Sequence, residues 1–187
     1  MKNALILAGG KSSRMGSDKT LLAYKDYPSI THFLFERLSK IFEDVKISAK
    51  NDKFEPKLPV LIDDFGEFSV LKVIANLDKN YDEPVFIMAA DTPFVKLETI
   101  KEMYLNLKNN DISLPRDGEF VHGLCGFYNP KVSLVAQSLL KNGMQKVSLL
   151  RDLCPTAITE FKDKKQFLNL NTALLLFQVL QTVYLQL

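Results

Sequence analysis

An α/β fold, a three-layer doubly wound and mostly parallel sheet of Rossmann-like type, is what the sequence predicts, on three observations. Two continuous apolar runs, Ala-Leu-Ile-Leu at 4–7 and Val-Phe-Ile-Met-Ala at 85–89, have the character of strands buried on both faces. Strand-like and helix-like segments alternate along most of the chain, the pattern of parallel strands joined by crossover helices. Polar clusters stand at the carboxyl ends of the expected strands, where open α/β sheets bind their ligands.

The elements follow in order. The strand at 4–7 runs into a loop over 8–18. Residues 31–42 fit a helix with Leu34, Leu38 and Ile41 on one face. Residues 45–49 read as a second strand and 60–62 as a short third one, stopped by Asp63-Asp64. Val70, Leu71, Val73, Ile74 and Leu77 suit a buried helix. Pro84 introduces the strand 85–89, which Asp91-Thr92-Pro93 ends. Leu97, Ile100, Met103, Tyr104 and Leu107 recur at helical spacing. Beyond them the pattern gives strands at 112–114, 124–128 and 157–161, and helices at 132–140 and 147–153. The apolar stretch 171–187 is interrupted by Gln178, Gln181 and Gln186 and falls short of the ~20 apolar residues of a membrane span. It is expected to dock as a helix. With no repeat, linker or low-complexity stretch, residues 1–187 are expected to form a single domain.

Composition narrows the function. The 187 residues are 47% hydrophobic and 25% charged, too apolar for a disordered chain. A net charge of +2 gives no electrostatic footprint for nucleic acid or for an anionic membrane. Cys125 and Cys154 stand far apart, and with only His32 and His122 they do not make a zinc site. Buried reduced thiols and a cytoplasmic protein are expected. The run 3–7 is too short for a signal-peptide core.

The first loop, Gly9-Gly10-Lys11-Ser12-Ser13-Arg14-Met15-Gly16-Ser17-Asp18-Lys19, carries the strongest chemical signal. Glycines leave backbone N–H groups accessible, successive amides cradle anions, and Lys11, Arg14 and Lys19 supply positive charge. This suits a triphosphate. The loop is neither a Walker A sequence nor Gly-x-Gly-x-x-Gly, which removes support from P-loop and dinucleotide enzymes. Asp91, at the end of the second buried run, is a suitable carboxylate for Mg²⁺ (magnesium), which takes one or two such ligands together with substrate phosphates. The competing role is a helix N-cap. Asp63 and Asp64 carry the same ambiguity. Asn169 and Asn171 stand at alternate positions, on one side of an extended chain, with donors and acceptors for a polar ligand; Asn171 also suits a helix cap. His122 reads as structural or substrate-orienting rather than as a general base.

On these residues the chain resembles a known family. Residues 7–19 resemble the signature of GT-A-type nucleotidyltransferases, and in particular of the molybdenum cofactor guanylyltransferases (MobA). Asp91-Thr92-Pro93-Phe94 resembles that family's metal-binding Asp-x-Pro segment, and residues 167–172 resemble its Asn-x-Asn-Thr-Pro element. The resemblance implies a GT-A-type fold and transfer of GMP from GTP to the phosphate of molybdopterin (Mo-molybdopterin), with pyrophosphate released and Mg²⁺ as cofactor. It implies nucleotide contacts at Leu7, Ala8, Gly9, Gly10, Lys19, Asp64 and Asp91. Arg14, Lys19 and Asp91 would be the catalytic residues, Asp91 the metal ligand, and Asn169 and Asn171 would face molybdopterin. Molybdoenzymes or their chaperones are the protein partners it suggests. The chain departs from the family at 69–73, where Ser-Val-Leu-Lys-Val replaces a Gly-Pro-Leu-x-Gly stretch, and at Ala173, which stands where proline is usual. Two other readings are a related transferase using CTP or another acceptor, and a catalytically silent nucleotide-binding protein.

Overall fold

The computed structural model describes residues 1–9, 18–63, 66 and 69–170. The expected helix 171–187, together with Gly10, Arg14, Asp64 and Asn171, lies outside the described residues.

The strands are β1 (Asn3–Leu7), β2 (Asp44–Ala49), β3 (Val60–Ile62), β4 (Val85–Ala89), β5 (Ile112–Arg116), β6 (Cys125–Tyr128) and β7 (Thr156–Glu160). The helices are α1 (Ile30–Leu38), α2 (Val70–Ile74), α3 (Leu97–Leu107), α4 (Val132–Lys141) and α5 (Ser148–Leu153). The strands form one sheet in the order β3-β2-β1-β4-β6-β5-β7. β1 pairs parallel with β2 and β4, β2 with β3, and β5 with β7, whereas β6 runs antiparallel to both β4 and β5. The mostly parallel α/β sheet is therefore present. Its one reversed strand follows from the short connection between Arg116 and Cys125, which suffices for an antiparallel return but not for a helical crossover.

Alternation along the strands builds the three layers. Ala4 and Ile6 of β1, Phe86 and Met88 of β4, and Phe127 of β6 pack with Ile30, Leu34 and Leu38 of α1 and Ile100, Met103 and Leu107 of α3. Leu5, Leu7, Val85, Ile87 and Tyr128 face the other way, against Leu71 and Ile74 of α2, Val132, Ala136 and Leu139 of α4, and Leu150 of α5. All five residues of β1 are buried, which accounts for its unbroken apolar run. Phe42, Phe86 and Phe127 form the aromatic centre of the first core, with ring centroids 5.1–6.2 Å apart.

Two helices are shorter than the sequence pattern suggests. α1 stops at Leu38, and Ile41 and Phe42 continue the apolar face from a turn instead. α2 ends at Ile74, and Leu77 begins a separate 3-10 turn, Leu77–Lys79. Both thiols are free and buried. Among the described residues no helix is long and apolar enough to cross a membrane.

Gly126 is required where β6 wedges between β4 and β5. A Cβ there would lie 2.5 Å from the Ser113 carbonyl oxygen and 2.5 Å from Leu114 Cδ2. Gly126→Ala is expected to lower stability by about 1–3 kcal/mol through overpacking, measured by urea unfolding; an unchanged midpoint would contradict this steric account.

Candidate active site

The strand order creates a switch point. From β1 the chain builds outward through β2 and β3, then returns to add β4 on the other side of β1. The crevice beyond the carboxyl ends of two such strands is the usual ligand site of an open α/β sheet. Here the register aligns Leu7 with Ala89, and Ala90 N donates to Leu7 O at 3.1 Å. Ala8 and Gly9 therefore leave the sheet beside Ala90 and Asp91. Ala8 N also donates to Ser48 O at 2.9 Å, which fixes the start of the first loop against β2.

The far end of that loop is tied back to its beginning. Lys53 Nζ donates to Ala8 O at 3.0 Å and to Asp18 Oδ2 at 2.5 Å. Asp18 Oδ1 in turn accepts from Thr20 N at 3.0 Å and from Thr20 Oγ1 at 2.7 Å, capping the 3-10 turn Lys19–Leu21. Partial burial pushes the Asp18 carboxyl upward, but the Lys53 ammonium and the Thr20 hydrogen bonds together outweigh it and hold the group below its ordinary value. Lys19 follows directly, half-exposed. Lys53 lies in a polar stretch with no motif, so only the fold reveals its position.

Asp63 sits at the end of β3 but turns inward. It is 7% exposed, its N–H donates to Ala49 O at 2.9 Å, and its Oδ2 accepts from Ser48 Oγ at 3.0 Å. Burial pushes its carboxyl upward, with the Ser48 bond opposing. Asp63 thus has a structural partner within the sheet.

Asp91 is half-exposed beyond β4, in a turn closed by Thr92, whose Oγ1 donates to Ala89 O at 2.9 Å. Leu170 N donates to Asp91 O at 2.8 Å, so the 169–170 segment docks directly on the turn. A cleft of about 350 Å³ opens there, lined by Ala89, Asp91, Thr92, His122, Gly123, Leu124, Cys125, Phe167 and Asn169. Asp91 and Asn169 thus share one cavity. The Cys125 thiol on its wall is fully buried and pushed up to about 12, which rules it out as a neutral-pH nucleophile. No group of three or more His, Cys, Asp or Glu capable of holding a metal occurs among the described residues. A single carboxylate in an open cleft fits an ion that draws its other ligands from substrate phosphate and water, as Mg²⁺ does.

Residues 4–155 match the family model of the MobA-like NTP transferase domain. The molybdenum cofactor guanylyltransferase of Campylobacter jejuni (strain 81116) is 37% identical over 173 residues, covering 90% of each chain. That of Helicobacter pylori (strain J99) is 34% identical over 187 aligned positions, covering 92% of this chain and 88% of the relative. The crystal structure of molybdopterin-guanine dinucleotide biosynthesis protein A from Archaeoglobus fulgidus superposes with a TM-score of 0.80 at 18% identity, covering 98% of this chain and 99% of the other, and so shares the fold. The chain is accordingly a nucleotidyltransferase and belongs to the MobA-like NTP transferase domain family.

Proposed function

We propose that the protein transfers GMP from GTP to the terminal phosphate of molybdopterin, releasing pyrophosphate and forming the guanine dinucleotide form of the cofactor. The observation that carries the reading is the convergence at one switch point of the first loop's start (Ala8, Gly9), the Asp91 turn and the Asn169–Leu170 segment bonded to it. The similarity to guanylyltransferases over about nine-tenths of the chain supports the choice of substrates.

In this reading Leu7, Ala8, Gly9 and Gly10 contact the nucleotide through their backbone. Lys19 and Arg14 neutralise the phosphates that leave as pyrophosphate. Asp64 contacts the nucleotide, while the neighbouring Asp63 is occupied by Ser48. Asn169 and Asn171 bind on the molybdopterin side. Asp91 would hold Mg²⁺, which when bound supplies charge neutralisation at the phosphates. An oxygen of the acceptor phosphate forms a bond to the α-phosphorus of GTP, and the α–β bridging bond breaks with its electron pair going to pyrophosphate. The attacking group is already an oxyanion, so no protein nucleophile or strong base is needed, and the residues act by positioning and by balancing charge.

The direct test is mass spectrometry of the pterin product after incubation with molybdopterin, Mg²⁺ and a panel of nucleoside triphosphates. The dinucleotide should form with GTP. Formation with CTP alone would overturn the guanine assignment. Asp91→Ala should lower kcat by ~10²-fold or more, and chelation of divalent ions by EDTA should have a similar effect on the wild type; a retained rate in either case removes Asp91 or the ion from the mechanism. Lys19→Ala should weaken GTP binding by roughly ten-fold, read by calorimetry. Lys53→Met should raise the KM for GTP several-fold by releasing Ala8 from Asp18, with Lys53→Arg retaining most of the affinity. The same Lys53–Asp18 pair should add stability at neutral pH. Because the folded-state value of Asp18 is depressed, that contribution should fade as pH falls below about 4, so the wild-type and Lys53→Met urea midpoints should converge in acid.

A further inference from the structure

One group of side chains in the cleft takes no part in the transfer as derived above. The connection between β5 and β6 folds back tightly: Arg116 and Val121 form an isolated antiparallel bridge, Asp117 N donates to Phe120 O at 3.1 Å, and Gly118 turns the chain at φ +89°. His122 N then donates to Pro115 O at 3.0 Å, and Leu124 O accepts from Ala89 N at 3.0 Å. These bonds set His122 beside Asp117 on one side and beside the end of β4 on the other.

The imidazole is held by two contacts. Its Nε2 lies 3.1 Å from Asp117 Oδ2, with the side chains only 25% and 10% exposed. Its ring stacks on Phe167, with centroids 4.5 Å apart and planes 16° from parallel. The Asp117 contact is within ion-pair reach but not aligned as a hydrogen bond: His122 Nε2 and Asp117 Oδ1 are both buried without a hydrogen-bond partner among the described residues. His32 is different. There Nε2 donates to Pro56 O at 2.8 Å, and Nδ1, 2.7 Å from Ser29 Oγ, accepts from that hydroxyl, which leaves an ordinary satisfied core histidine. Buried polar groups are normally paired, and an incompletely satisfied pair with one member, His122, on the wall of a cavity needs an explanation.

We infer that His122, with Asp117 as its positioning residue, binds a phosphate oxyanion in the cleft beside Asp91, and that this phosphate is the acceptor's. The assignment to the acceptor rests on the proposed transfer reaction; the oxyanion site does not. With Phe167 and Asp117 fixing the ring, its Nδ1–H makes a charge-assisted bond to an anionic oxygen. The other candidates on this wall are committed or inert: Tyr128 Oη donates to Gly123 O at 2.5 Å, and the Cys125 thiol is fully protonated at neutral pH. The acceptor is favoured over the triphosphate because the first loop starts, at Ala8 and Gly9, from the end of β1, whereas His122 lies on the β6 side of β4 and shares its cleft with Asn169.

The chain has only two histidines, which makes the test direct. Protein labelled with ¹³C-histidine is followed by NMR at fixed pH and ionic strength, with His32 as internal reference and His122→Gln to assign the signals. The His122 ring resonance should shift with inorganic phosphate and with molybdopterin, while His32 stays in place. A His122 signal that stays still at saturating molybdopterin overturns the proposal, and one that moves only with a non-hydrolysable GTP analogue and Mg²⁺ overturns the acceptor assignment. In kinetics, His122→Ala should raise the KM for molybdopterin by about ten-fold with GTP affinity unchanged. Asp117→Asn should act more weakly in the same direction, and His122→Gln should recover part of the loss. An unchanged acceptor KM in His122→Ala overturns the role. Wild-type protein that shifts with inorganic phosphate yet makes no pterin dinucleotide supports the oxyanion site and refutes the transfer reading. Protein that makes the dinucleotide with a motionless His122 signal does the reverse.

Discussion

The register between β1 and β4 is the constraint on which the site depends. Leu7 opposite Ala89, reinforced by the Ala90–Leu7 bond, makes the first loop and the Asp91 turn leave the sheet side by side. A shift of one residue would flip the side chains of β1 between the two cores, exchanging Ala4 and Ile6 for Leu5 and Leu7. Packing on both faces thus fixes, far from solvent, the distance between the start of the first loop and the Asp91 turn. The rigid part of the molecule and the chemically useful part are consequently different residues: strands buried to their ends, and polar groups in the turns that follow.

Those turns are held by bonds between elements distant in sequence. Lys53 reaches from beyond β2 to both Ala8 and Asp18, and Leu170 reaches from the end of the described chain to Asp91. Each interaction is modest by itself. Together they reduce the freedom of groups that would otherwise have to be ordered when substrate binds.

Much of this was legible in the sequence because it is written locally. The apolar runs at 4–7 and 85–89 named the two central strands, and the glycine loop and Asp91 stood at their ends. The spacing of Leu97, Ile100, Met103 and Leu107 gave α3. Apolar periodicity extended α1 too far, because Ile41 and Phe42 fill the same core from a turn. Adjacent acidic residues at 63 and 64 could not reveal that Asp63 bonds to Ser48, since that pairing depends on the β2–β3 register. The position of Lys53 and the stacking of His122 on Phe167 were equally out of reach: neither has a repeating pattern, and both are consequences of strand order. The reversed direction of β6 matters most here. It brings the beginning of that strand, and with it His122, to the same end of the sheet as Asp91.

The Leu170–Asp91 bond has a consequence for biosynthesis. Chains emerge from the ribosome N-terminus first, and the helices and parallel strands from β1 to β4 can pair before the later segments exist. The wall that carries Phe167 and Asn169 joins later, across a long stretch of intervening chain. During translation the part of the crevice beside β1 and β4 is therefore shaped ahead of the wall that carries Phe167 and Asn169, which closes on the turn after β4 only once residues 167–170 have been made.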